Sequence, residues 1–255
     1  SLPLIALQYH DVELKTTFRD LRALINASGS PGTVTLQDPT IRLWGNYIYL
    51  DTDERKRFAK GGHEYLIEQV QLIKGNYTSR VSIPFNHSVK SLYWVIQNNT
   101  AITERLDYTN INSNNNNLGD GDTWNDSNDY LNYMTHKDSF PDYVGTNTLY
   151  EQFEKAKITL NGLDRIPLRS ATYFRKIQPY ECDHRIPDKF IYMYSFCLKP
   201  NEYQPSGALN FSKIDNAYLE FTGDIDDSNY TISIYAINYN VLRIMSGMGG
   251  LLYSS

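Results

Sequence analysis

At 255 residues the chain has room for one large all-β domain or two ordinary ones. Its 41% hydrophobic and 21% charged residues are a globular balance able to bury a core, and 13% aromatics, with 21 Tyr, favour strands. A net charge of −5 argues against a nucleic-acid-binding surface as the main task, although 24 Lys and Arg leave room for local basic patches.

Taken in order, residues 1–7 are a short apolar segment containing Pro3, expected as a turn or short helix feeding a strand. Residues 9–18 alternate, with Val12, Leu14, Thr16 and Phe18 on one face and Asp11, Glu13, Lys15 and Thr17 on the other, the pattern of a half-buried strand. Residues 26–32 read as a loop, and residues 40–50 (T-I-R-L-W-G-N-Y-I-Y-L) as a second strand with Gly45 as a candidate bulge. Asp51-Thr52-Asp53 before Glu54, Arg55, Lys56 and Arg57 has the caps and charges of a helix start, and Gly61-Gly62 ends it. The charge run inside it reads as a solvated helix face, not a binding patch.

Strands are predicted over 65–73, 81–85 and 90–97, the last with Leu92, Trp94 and Ile96 on one face. Residues 98–147 are different material, an Asn-rich stretch poor in apolar residues, expected as a surface excursion from one domain spanning 1–255. Strand pattern resumes at 155–160, with Asn161-Gly162 as a turn signal. Residues 170–187 are mixed, anchored by Tyr173, Phe174 and Tyr180. Residues 190–198 form an apolar strand, and 208–221 another, broken near Asp215-Asn216.

The end of the chain is its most ordered-looking part. Residues 231–244 contain no Pro or Gly and read as one long strand with Ile232, Ile234, Ala236, Asn238, Asn240, Leu242 and Ile244 on one face. Ser233, Tyr235, Ile237, Tyr239, Val241 and Met245 line the other, so neither is a clear water face and the strand should be central or doubly covered. Arg243, the one charge in the run, is a candidate for a paired position. A turn at Gly247, Gly249 and Gly250 is expected to fold Leu251, Leu252 and Tyr253 back as an apolar plug. About eight strands with almost no helix define an all-β fold, an antiparallel sandwich or jelly roll, and no fixed-period repeat indicates a propeller or solenoid.

No catalytic, cofactor-binding or metal-binding residue is assigned. His10, His63, His87, His136 and His184 show no H-x-H or H-E-x-x-H spacing, and G-D-G-D at 119–122 lacks the remaining ligands of a calcium loop. There is no G-x-S-x-G elbow, and the terminal S-G-M-G-G lacks the Lys-Ser/Thr of a phosphate loop. Cys182 and Cys197 fit no zinc pattern and are expected as free thiols in preference to a bridge. Sequons at Asn26, Asn76, Asn86, Asn98, Asn125, Asn210 and Asn229 arise readily by chance in an Asn-rich chain and are not counted as glycans. No apolar run is long enough to span a membrane, and no signal peptide is recognised. The first residue is not Met and the pattern starts midway, as expected of a fragment or processed piece.

Several blocks carry a resemblance: residues 1–17 (S-L-P-L-I-A-L-Q-Y-H-D-V-E-L-K-T-T), 51–69 (D-T-D-E-R-K-R-F-A-K-G-G-H-E-Y-L-I-E-Q), 89–97, 158–165, 205–220 and 235–254. They resemble the major capsid proteins of nucleocytoplasmic large DNA viruses, in particular the giant and algal virus branch. The resemblance implies an eight-stranded jelly roll, the second of two, in a homotrimeric pseudo-hexagonal capsomer that tiles an icosahedral shell. It implies as partners the same chain, the N-terminal jelly roll, neighbouring capsomers and minor capsid proteins, with no direct nucleic-acid contact. It also implies a place in the virion after assembly in the host cytoplasm, no enzymatic activity, and a crown position for 98–147. The alternative is a jelly-roll lectin whose Trp124 and Tyr130 stack on sugars; a jelly-roll hydrolase or cupin is a third reading.

Overall fold

The computed structural model describes residues 2–17, 42–98, 151, 153–187, 190–223 and 230–253. After a 3-10 turn at Leu4–Ala6, the first helix, α1 (Thr52–Lys60), forms where its caps predict. The Asp51 carboxylate accepts from the backbone N–H groups of Asp53 (3.1 Å) and Glu54 (2.9 Å), satisfying donors that have no partner inside a helix. Asp53 and Glu54 sit at the positive end of the dipole and Arg57 and Lys60 at the negative end, and no residue of α1 is buried. The charge run is a solvated face.

The strands are β1 (His63–Asn76), β2 (Arg80–Ser82), β3 (Ser88–Asn98), β4 (Lys155–Leu160), β5 (Leu163–Ser170), β6 (Tyr192–Ser195), β7 (Leu209–Asn210), β8 (Ala217–Thr222), β9 (Tyr230–Met245) and β10 (Met248–Leu251). They form two antiparallel sheets, a long one ordered β1-β9-β3-β6 and a short one ordered β2-β8-β4-β5, eight strands in all, with β10 and β7 added to the edges of β9 and β3. Only β4 to β5 is a hairpin within one path, turned by Asn161 (φ 49°) and Gly162 (φ 81°). The links β1–β2, β2–β3, β3–β4, β5–β6 and β8–β9 all cross from one sheet to the other, so the chain wraps around its own core. That is jelly-roll topology.

The core follows from period-2 placement. Leu92, Trp94 and Ile96 of β3 and Ile232, Ile234 and Ala236 of β9 face Ala156 and Ile158 of β4 and Ala217, Leu219 and Phe221 of β8, and all are buried. β9 lies between β1 and β3, as its two apolar faces predict. Register also fixes the two ends of the sandwich. Residues 77–79, 171–187, 190–191 and the flanks of the β3–β4 connection at Asn98 and Phe153 share the end where Asn98 pairs with Tyr230 and Lys155 with Thr222. Residues 83–87, the Asn161-Gly162 turn and 196–216 share the other, where Asn161 accepts from the N–H groups of Asp215 and Asn216 (both 3.0 Å).

Several expectations are corrected. Residues 9–17 and 42–50 are not strands; they lie outside any sheet and are exposed, with Leu14 at 70% and Trp44 at 85% of full exposure. Alternation specifies faces, but a strand exists only when a neighbour takes up its backbone hydrogen bonds in a ladder, and among the described residues no such ladder forms here, the lone Tyr9 N–H to Gly247 carbonyl bond apart. Gly45 is therefore no bulge; the long sheet instead bulges between Val89 and Ser91. The apolar run at 190–198 yields only four strand residues, and 208–221 divides into β7, a 3-10 turn (Phe211–Lys213) and β8, in different sheets. Residues 173–181 are helical: a π turn (Tyr173–Ile177) leads into α2 (Gln178–Glu181), whose Pro179 stands in the first turn, where its missing N–H costs nothing.

The terminal segment also differs. It is a hairpin, with Ser246 (φ 54°) and Gly247 (φ 81°) turning β9 into β10, and Leu251, Leu252 and Tyr253 remain 45%, 42% and 54% exposed, so they are not a buried plug. The 98–147 excursion, the 26–32 loop, His136, Trp124 and Tyr130 lie outside the described residues, apart from the backbone of Asn98.

Candidate assembly interface

The outer faces of the two sheets differ in chemistry. On the short sheet the outward residues are charged and mutually paired: Arg80 lies 3.8 Å over the Tyr218 ring and 3.5 Å from Glu220. Lys157 reaches Asp164 (3.0 Å) and Glu220 (3.7 Å), and those carboxylates hold its ammonium pKa above the usual lysine range. This face is built to meet water.

The outer face of the long sheet falls into two halves. Over β3 the chain covers itself. The bulge at Val89/Ser91 turns Lys90 outward, where its ammonium is buried between the Glu68 carboxylate and the Pro200 carbonyl (2.8 Å). The Tyr93 hydroxyl meets His184 Nε2 at 3.2 Å, and Asn201 donates to the carbonyls of Cys182 (3.2 Å) and Asp183 (2.9 Å), which ties the covering segment to itself. Burial, and then the charge of Lys90, hold the His184 pKa below the ordinary histidine value, while burial raises Tyr93.

Over β1 none of the described residues covers the sheet. Leu66, Val70 and Leu72 are 51%, 64% and 54% exposed, and their partners Val241, Ile237 and Tyr235 on β9 are half-buried beside them. The acids on this strip are already matched, Glu64 by Arg243 at 2.7 Å and Glu68 by Lys90, which gives Arg243 the partner its isolation in the sequence predicts. The alternation Leu66-Glu68-Val70-Leu72 was the signal for this strip, but sequence alone does not say which face of β1 is the inner one.

At the insertion end, Glu151 and Phe153 anchor the return of the chain from the β3–β4 connection. Glu151 pairs with Arg175 (2.6 Å) and accepts from the Tyr192 hydroxyl (2.7 Å). Phe153 packs on Tyr192 (4.7 Å between centroids) and Phe221 (5.0 Å), and Trp94 on Phe174 (5.3 Å) and Tyr192 (5.9 Å). The core is thereby closed at the base of the β3–β4 connection.

At the opposite end β1 and β9 overrun the short sheet, and a ladder of amides takes over from apolar packing. Gln71 donates to the Asn86 carbonyl (2.7 Å) and to Asn238 (3.0 Å), and Asn240 donates to Gln69 and to the Tyr253 carbonyl (both 2.8 Å). The N-terminal segment seats on the β9–β10 hairpin: Tyr9 N–H donates to the Gly247 carbonyl (2.9 Å) and Gly249 N–H to His10 Nδ1 (3.0 Å). A Cβ at Gly247 would stand 2.6 Å from the Tyr9 ring, so only glycine fits this close approach.

The described histidines are dispersed through these contacts, and among the described residues no three His, Cys, Asp or Glu side chains could hold a metal ion together. Cys182 and Cys197 are buried and unbridged. Of the described sequons, Asn210 uses its side-chain oxygen to cap Ser212 N–H (3.1 Å), whereas Asn76 is exposed at the end of β1.

Two four-stranded sheets wound in this order, with one outer face charged and the other half apolar, define an antiparallel jelly roll. Residues 54–250 match the family described as large eukaryotic DNA virus major capsid protein, and residues 1–51 match the family described as major capsid protein N-terminus. The chain belongs to the major capsid proteins of large eukaryotic DNA viruses. Over its whole length it is 38% identical to the major capsid protein of Paramecium bursaria Chlorella virus 1 and 37% identical to that of Pyramimonas orientalis virus, spanning 63% and 58% of those proteins. A quasi-atomic model of the PBCV-1 virus capsid superposes with a TM-score of 0.59 at 37% identity, over 82% of this chain and 56% of that one. The Faustovirus major capsid protein, at 15% identity and a TM-score of 0.50, shares the fold.

Proposed function

We propose that this chain is the second jelly roll of a double jelly-roll major capsid protein that assembles as homotrimeric, pseudo-hexagonal capsomers in an icosahedral virion shell. The observation that carries this reading is the run of Leu43, Trp44, Tyr47, Ile48 and Tyr49, all at least 71% exposed although their sequence is that of a buried strand. The same run repeats the last strand of the jelly roll. T-I-R-L-W-G-N-Y-I-Y-L at 40–50 aligns with T-I-S-I-Y-A-I-N-Y-N-V-L at 231–242 after one extra residue, so that Asn46-Tyr47 falls on Asn238-Tyr239 and Leu50 on Leu242. Residues 12–17 similarly align with 217–222 of β8, Leu14 falling on Leu219 and Thr17 on Thr222. A segment with the pattern of β9 needs a strand on each side, and this supports its belonging to a first jelly roll whose other strands lie elsewhere in the polypeptide.

Loops gathered at one end, with the Asn-rich connection among them, suit an outward crown, and the opposite end suits contacts beneath the shell, minor capsid proteins included. Assembly takes place in the host cytoplasm, and the role is structural, with no catalysis. The test is the oligomeric state of the full-length protein. Analytical ultracentrifugation is expected to give a trimer and electron microscopy a pseudo-hexagonal outline; a strict monomer at high concentration overturns the proposal.

A further inference from the structure

We infer that the open strip of β1 and β9, Leu66, Val70 and Leu72 with Tyr235, Ile237 and Val241, is the surface on which the first jelly roll of the same polypeptide packs. The inference rests on the double jelly-roll reading and adds to it which face is used and by which partner. Three observations lead there.

First, the strip can be desolvated. It is apolar, and Glu64 and Glu68, the acids that interrupt it, are neutralised by Arg243 and Lys90, while Lys74 stands exposed at the far end of β1. The outer face of the short sheet, with Arg80, Lys157, Asp164 and Glu220, offers no such surface. Second, the strip stops where the chain covers itself: His184 and Pro200 shield Tyr93 and Lys90 over β3, so among the described residues the uncovered half is a bounded site.

Third, the tether is short. The exposed run ending at Leu50 is joined to β1 by α1 and Gly61-Gly62 alone, and a nine-residue helix spans only about 14 Å. A domain that ends at residue 50 is therefore held beside β1 at high effective concentration, while a second copy of the chain has no such advantage. The relatives are long enough to supply that domain, since this chain spans 63% and 58% of the two described above.

The test uses the full-length protein carrying Val70→Cys, at an exposed position that tolerates the change, with Leu66→Cys as a second probe should the first fail to fold. The cysteine is labelled with a maleimide and, separately, with a photo-reactive maleimide cross-linker, in protein mixed from isotopically light and heavy chains. Expected are labelling at least about tenfold slower than in guanidinium-unfolded protein, as for the dry centre of an interface, and cross-links to peptides preceding residue 1 of this chain, within chains of one isotope. Labelling at the unfolded rate shows the strip to be free and overturns the inference. Cross-links between light and heavy chains overturn it too, assigning the strip to a subunit contact. The oligomeric state of the unmodified protein is read independently, so failure of the trimer proposal and failure of this one are separate results.

Discussion

Asn240 offers a sharp test of how the C-terminal hairpin is held. Its side chain is 1% exposed and makes four hydrogen bonds: Nδ2 donates to Gln69 Oε1 and to the Tyr253 carbonyl, both at 2.8 Å, and Oδ1 accepts from Val241 N–H (2.7 Å) and Tyr253 N–H (3.2 Å). The amide thus pairs with Tyr253 as a neighbouring strand would and carries the β10 end of the chain past its last ladder bond. In Asn240→Ala the Tyr253 peptide groups can turn to water, because that residue is half exposed, so each bond forfeits only its net worth of about 0.5–1.5 kcal/mol. The Gln69 carbonyl, half-buried, hydrates less readily. The expected loss is about 2–3 kcal/mol, confined to the docking of Leu252 and Tyr253.

Native-state hydrogen exchange measures this directly. The Leu252 N–H, which donates to the Val241 carbonyl at 2.8 Å, should exchange faster by a factor of about 30–140, at about tenfold per 1.4 kcal/mol. The amides of Leu92, Trp94 and Ile96 should be unchanged. Equal acceleration throughout β3 and β9 would make Asn240 a determinant of global stability, and no acceleration would mean the pairing contributes nothing; either outcome refutes the reasoning. Asn240→Asp should be at least as damaging, because it sets a carboxylate against the Tyr253 carbonyl in a buried site.

Gly247→Ala should free the N-terminal segment, since the new Cβ would meet the Tyr9 ring at 2.6 Å and the residue holds φ 81°; limited proteolysis near residue 10 should accelerate while the thermal midpoint of the sandwich moves little. Glu151→Ala strips Arg175 and the Tyr192 hydroxyl of their acceptor at the base of the insertion and is expected to cost about 1–3 kcal/mol in urea denaturation, with Glu151→Gln retaining part of it. His184 has a folded pKa below its ordinary 6.5, so its contribution is present above pH 6.5 and is lost as pH falls through the folded value. The difference in stability between pH 7 and pH 5 should therefore shrink in His184→Gln, and an unchanged difference in denaturation midpoints would contradict the assignment. Leu66→Lys with Val70→Lys should leave the sandwich folded by circular dichroism while lowering capsomer yield, and wild-type yield would count against a buried strip.

What was legible in the sequence was local or periodic. α1 could be placed almost to the residue because Asp51, Thr52 and the glycine stop act within one helical turn. Which residues of β3 and of β9 share a face followed from alternation alone, since Cβ direction is set by the backbone and not by the partner strand; which face of β9 is the inner one did not. The all-β class followed from composition and strand count. Tertiary structure alone decided which runs find partners: residues 42–50 have as strong a strand pattern as β9, yet β9 lies between β1 and β3 and residues 42–50 pair with no strand among the described residues. It also decided which face of β1 is outer, that Asn238 and Asn240 are core amides where the short sheet runs out, and that the terminal apolar residues form an exposed hairpin instead of a plug. Backbone pairing joins residues far apart in the chain, and no local pattern encodes where the second strand of a pair will be.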